Sequence, residues 1–61
     1  TAYLFDASRT LKEATEEFER QYIERVLQVN QYNKELAAKA LRISLSSLYR
    51  KIDELKISLQ G

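Results

Sequence analysis

Neither cysteine nor histidine occurs anywhere in this chain of 61 residues. A domain so short draws only about 3–5 kcal/mol from its own core and is ordinarily stapled by disulfides, a metal or a partner subunit. Without thiols or imidazoles the first two staples are gone, so association with another subunit is the expected source of stability. The material for a core is present, since 44% of the residues are hydrophobic, well outside the range of disordered segments. One small domain fits this length, and a second core does not.

The same absences narrow the chemistry. The chain lacks a neutral-pH proton shuttle, a thiolate nucleophile and a Cys/His zinc set. Its only glycine is Gly61, so no Gly-rich loop cradles a phosphate. We expect no enzyme, no cofactor and no metal. No apolar run approaches the roughly 18 residues of a membrane span, and these residues show no signal-peptide pattern. The lack of cysteine fits a reducing cytoplasm, and a start at Thr1 rather than Met fits either a domain excised from a longer chain or methionine removal before a small residue.

The net charge of +1 is unevenly divided. Residues 1–30 hold six acids and four bases, whereas residues 31–61 hold six bases and three acids. Such asymmetry is what an assembly segment joined to a nucleic-acid-facing segment would show.

No internal proline and an abundance of Leu, Ala, Glu, Lys, Arg and Gln favour an all-α chain with helices over about 11–29, 34–41 and 45–56. Residues 1–10 form an N-terminal arm or linker, and residues 11–61 the domain. Thr10-Leu11-Lys12-Glu13 reads as a capping box, and Asn33 and Ser44 as caps of the second and third helices. A short helix, a three-residue turn and a longer helix outline a helix-turn-helix, whose second member enters the major groove. Leu36, Ala37, Ala40 and Leu41 on the second helix, Ile43 in the turn, and Leu48, Ile52 and Leu55 on the third read as core.

The first helix is wider than one core requires. At about 100° per residue, Leu11, Ala14, Phe18, Tyr22, Ile23, Val26 and Leu27 spread over about 220°, where one small core uses roughly 100°. An equal helix in a symmetric homodimer would cover the excess; Tyr3, Leu4 and Phe5 folding back over part of it is the alternative. Opposite the core face of the third helix stand Ser46, Ser47, Arg50 and Lys51. Small hydroxyls allow close approach to the groove, and Arg50 can reach guanine or a phosphate. A plain Arg50–Glu54 surface pair with a solvated Lys51 is the bland alternative. Tyr49 packs on the core edge or lies on the sugar-phosphate backbone, and Leu45 is an edge core residue or a contact to a thymine methyl.

Glu17-Phe18-Glu19-Arg20, Tyr22-Ile23, Val26-Leu27, Asn33, Ala37-Ala38, Leu41-Arg42-Ile43-Ser44 and Leu48-Tyr49-Arg50-Lys51-Ile52 together resemble the Fis-type domain at the C-terminus of NtrC-family sigma-54-dependent activators. The resemblance covers about residues 11–57. It implies a three-helix homodimer paired through the long first helix and bound to double-stranded DNA at inverted-repeat enhancer sites. It implies phosphate contacts from Asn33, Ser44, Ser47 and Arg50, groove contacts from the first turns of the third helix, and ATPase and receiver domains elsewhere in the full-length chain. Lys34, near the start of the second helix, and Arg42, in the turn, are further candidates for DNA contact. This chain departs from the family in carrying Tyr32 and Arg42 where glycine is frequent and Leu45 where arginine is frequent. A non-glycine residue at positive φ costs about 1–2 kcal/mol, so these turns are either strained or built on other dihedrals. A free-standing Fis-like nucleoid protein and a helical dimerisation module without DNA binding are the competing readings.

Overall fold

The computed structural model describes residues 7–59. Three helices account for most of them: α1 (Leu11–Val29), α2 (Lys34–Leu41) and α3 (Leu45–Leu55). The expected arm over residues 1–10 falls mostly outside the described residues, as do Tyr3, Leu4 and Phe5.

Each helix starts on the cap its sequence supplies. The Thr10 hydroxyl accepts from the Glu13 amide at 3.1 Å while the Glu13 carboxylate accepts from the Thr10 amide at 3.0 Å, closing the capping box. Asn33 Oδ1 accepts from the Leu36 amide at 3.1 Å and Ser44 Oγ from the Ser47 amide at 3.1 Å. Each cap satisfies one of the amides left unpaired at a helix start, worth about 1 kcal/mol.

Each helix also ends the same way. The amides of Tyr32, Ile43 and Ile57 donate back to the carbonyls of Leu27, Ala38 and Ile52, five residues earlier, at 2.7, 3.1 and 3.0 Å. These are Schellman closures, which need the preceding residue in the left-handed region. Gln31, Arg42 and Lys56 occupy it at φ 57°, 59° and 54°, and Tyr32 follows at 62°. The two turns flagged by their missing glycines are therefore strained. The apolar residue after each closure turns inward, with Ile57 buried and Tyr32 and Ile43 packed against the core.

Ile23 and Leu27 of α1, Ala37 and Ala38 of α2, Leu48 and Leu55 of α3, and Ile57 form that core. Leu27 and Leu48 are fully buried. The two alanines let α2 lie close to its neighbours. Leu36 and Ala40, expected in the core, are exposed instead, because Ala37 and Ala38 take the inward face of this short helix.

Candidate nucleic-acid interface

The polar half of the site is built around the start of α3. Ser44 Oγ, besides capping the helix, donates to Ser47 Oγ at 2.9 Å and lies 3.2 Å from Ser46 Oγ. Three hydroxyls thus cluster at a helix N-terminus, where backbone amides point outward and attract anions. Ser44, Ser46, Tyr49 and Arg50 are exposed, as are Asn33 and Arg42 nearby in the chain, and Lys34 is half-buried. Residues 33–51 carry Lys34, Lys39, Arg42, Arg50 and Lys51 against the single acid Glu35. Arg42 and Arg50 make no ion pair among the described residues, and the Arg50–Glu54 surface pair does not form. Their charge stays available to phosphates.

Two expected members of the site also have neighbours on the protein itself. Lys51 turns toward α1, its Nζ 3.0 Å from Glu19 Oε1. At about 100° per residue its position on α3 lies toward the core flank rather than the outward face centred between Ser46 and Arg50. Leu45 is half-buried and packed against the core, as an edge core residue is, and its remaining surface lies at the start of α3. Ser47 is half-buried and accepts from Ser44 Oγ.

On α1 the broad apolar arc resolves into two separate faces. Ile23 and Leu27 are buried in the core of a single chain, so they are withdrawn from the expected dimer interface. Leu11, Phe18 and Tyr22 remain 83%, 53% and 52% exposed, and Val29, overlooked in the sequence, 61% exposed. Counted at about 100° per residue these four fall within about 40° of one line, some 140° from the core face. The signal for Val29 was its spacing of 18 residues from Leu11, five whole turns. Ala14 and Val26 flank the line half-buried, and the rings of Phe18 and Tyr22 stack at 5.7 Å.

Between the two faces runs a polar seam. Arg20 Nε donates to the Leu55 carbonyl at 2.9 Å, placing a cation at the C-terminal end of α3. The same guanidinium pairs with Glu17, whose other oxygen accepts from Gln21 at 3.0 Å. The Gln21 hydrogen bond foremost, helped by the Arg20 and Arg9 charges against an opposing push from burial, holds the Glu17 carboxyl below its ordinary pKa. Glu24 accepts from the Ser58 amide at 3.3 Å. None of these contacts was visible in the sequence, because they join residues more than thirty positions apart or depend on a particular rotamer.

A profile of bacterial regulatory proteins of the Fis family matches residues 14–55, more than half of the chain and the whole helix-turn-helix. The chain belongs to the Fis family. This Fis-family domain is a DNA-binding regulatory unit of the helix-turn-helix class, with α2 and α3 as its two characteristic helices. No curated protein and no solved structure matches the chain. Among the described residues, no helix is long and apolar enough to cross a membrane.

Proposed function

We propose that this Fis-family domain is the DNA-binding end of a sigma-54-dependent activator of the NtrC type. It works in the cytoplasm as a homodimer on inverted-repeat DNA, without catalytic activity or cofactor of its own. ATPase and receiver domains elsewhere in the full-length protein supply the response to a signal. The observation that carries the dimer is the second apolar line on α1, separate from the core and aligned over nearly the whole helix. A partner copy of the same helix covers it with like against like, which a two-fold axis requires.

Each subunit then presents the N-terminal half of α3 to a major groove. Ser46 approaches the base edges, and Arg50 reads a base or clamps a phosphate. Asn33, Lys34, Arg42, Ser44 and Ser47 hold the backbone, and Tyr49 lies along it. Asp53 and Glu54 sit toward the other end of α3, where their charge is carried away from the phosphates. Binding of the chain to random and selected duplexes over a range of salt tests the reading. Retention that falls steeply with salt, with a selected inverted repeat bound more tightly than random DNA, is the expected result. Retention insensitive to salt would leave a dimerisation module without DNA binding, and equal affinity for all duplexes would favour a nucleoid protein.

A further inference from the structure

The helix that bears the exposed apolar line and the helix that carries Arg50 meet in the core, Ile23 and Leu27 on one side and Leu48 and Leu55 on the other, and two polar contacts bracket this packing. Glu19 and Arg20 are adjacent on α1 and flank the core line of Ile23 and Leu27 on opposite sides. Their partners, Lys51 Nζ at 3.0 Å and the Leu55 carbonyl at 2.9 Å, lie one turn apart on α3. Core packing of Leu48 and Leu55 holds α3 in place, and two polar contacts on opposite sides of that packing restrain its direction further.

We propose that Glu19 and Arg20 are positioning residues that set the separation of the two half-sites by locking the direction of α3 to that of α1. The inference rests on the dimeric DNA-binding reading above, in which α1 defines the two-fold axis and α3 enters the groove. The lever is short and sensitive. Eleven residues make α3 about 16 Å long, so a tilt of about 10° about its C-terminal anchor moves its N-terminus by roughly 3 Å. That equals about one base-pair step of roughly 3.4 Å. Arg20 anchors the C-terminal end and Glu19 holds the middle, so the tilt they suppress displaces Ser46 and Arg50 most.

The test pairs the unmodified chain with the double variant Glu19→Gln, Arg20→Met. Both are titrated against inverted repeats built from a half-site that the unmodified chain selects from random duplex, with the central spacing changed one base pair at a time. The unmodified chain is expected to bind one spacing about tenfold better than its neighbours, and the double variant to bind three adjacent spacings within about threefold of one another. Ile52→Val, which loosens the core between the two anchors but leaves both polar contacts in place, is expected to lower affinity for every spacing alike and leave the tenfold preference. A double variant that keeps the sharp preference overturns the inference. A second measurement needs no DNA: the orientation of α1 amide vectors relative to those of α3, read by residual dipolar couplings in weakly aligned solution. An orientation equally well defined in both proteins overturns the inference whatever the DNA result. A sharp orientation in the unmodified chain, averaged in the variant, supports the lock between α1 and α3, whereas selection of single half-sites overturns the two-fold reading and with it the role in spacing. Should the double variant not fold, Arg20→Lys and Glu19→Gln singly carry the same readouts, each expected to give an intermediate loss of orientation.

Discussion

Replacing Arg42 by glycine should make this domain more stable, although it removes a large side chain and gains no contact. Arg42 sits at φ 59° and ψ 42° in the turn between α2 and α3. The left-handed conformation costs a non-glycine residue about 1–2 kcal/mol, and glycine adopts it freely. Against this, glycine gives the unfolded chain more freedom, worth about 0.4–1 kcal/mol. The arginine also places a positive charge at the C-terminus of α2, worth about 0.3–1 kcal/mol at low ionic strength. At about 1 M salt, where charges are screened beyond roughly 3 Å, that last contribution fades. The net gain is then about 0.5–1 kcal/mol, which for a domain of this size raises the melting temperature by roughly 2–8 °C. Circular-dichroism melts at a fixed chain concentration in high salt measure it. Lys56→Gly, at φ 54° and exposed at the end of α3, should gain a similar amount. Tyr32→Gly should gain less or lose stability, because the Tyr32 ring packs against the core. A melting temperature unchanged or lowered in both Arg42→Gly and Lys56→Gly would refute the assignment of strain. The two also differ in function: Arg42→Gly should weaken binding to all duplexes and flatten its salt dependence, and Lys56→Gly should do neither.

Phe18→Ala should turn a dimer into a folded monomer. A half-exposed phenylalanine leaves about 100 Å² to be covered, worth roughly 2 kcal/mol per subunit and about 4 kcal/mol per dimer, so sedimentation equilibrium should show a dissociation constant raised by about a thousandfold. Arg50→Ala should cost about 1–3 kcal/mol on the selected site and less on random duplex if Arg50 reads a base, whereas Lys34→Ala should weaken both alike; competition binding distinguishes the two. Because the Glu17 carboxyl is held below its ordinary value of 4.5 in the fold, its contribution is present above that pH and lost as the pH falls through the folded pKa. Glu17→Gln should therefore make stability less steeply dependent on pH below about 4.5, as followed by acid titration of the circular-dichroism signal.

The helix boundaries were legible because Thr10, Asn33 and Ser44 each mark a start with a side chain of one well-defined use. Periodicity identified the apolar residues of α1 but could not divide them, since it reports angles around one helix and not what stands opposite each angle. Angle alone groups Ile23 and Leu27 with Phe18 and Tyr22; α2 and α3 bury the first pair and leave the second half-exposed. Lys51 looked solvent-facing because its neighbour Arg50 is; its bond to Glu19 spans 32 positions and depends on how α3 is tilted. The left-handed residues at the helix ends were legible only where a missing glycine drew notice. Gln31 and Lys56 gave no such sign, since their side chains carry no preference that a reader could use.

The separation of the two faces on α1 bears on how such a domain would respond to its own abundance. A single chain already closes its core over Leu27 and Leu48, so folding does not consume the surface proposed for pairing. On that reading folded single subunits and pairs coexist, and below the dissociation constant the number of pairs rises as the square of the number of chains. Doubling the supply of chains then quadruples the species able to hold both half-sites. A promoter governed in this way would read the quantity of regulator through a threshold, and any domain that holds two chains side by side would lower that threshold without touching a single contact to DNA.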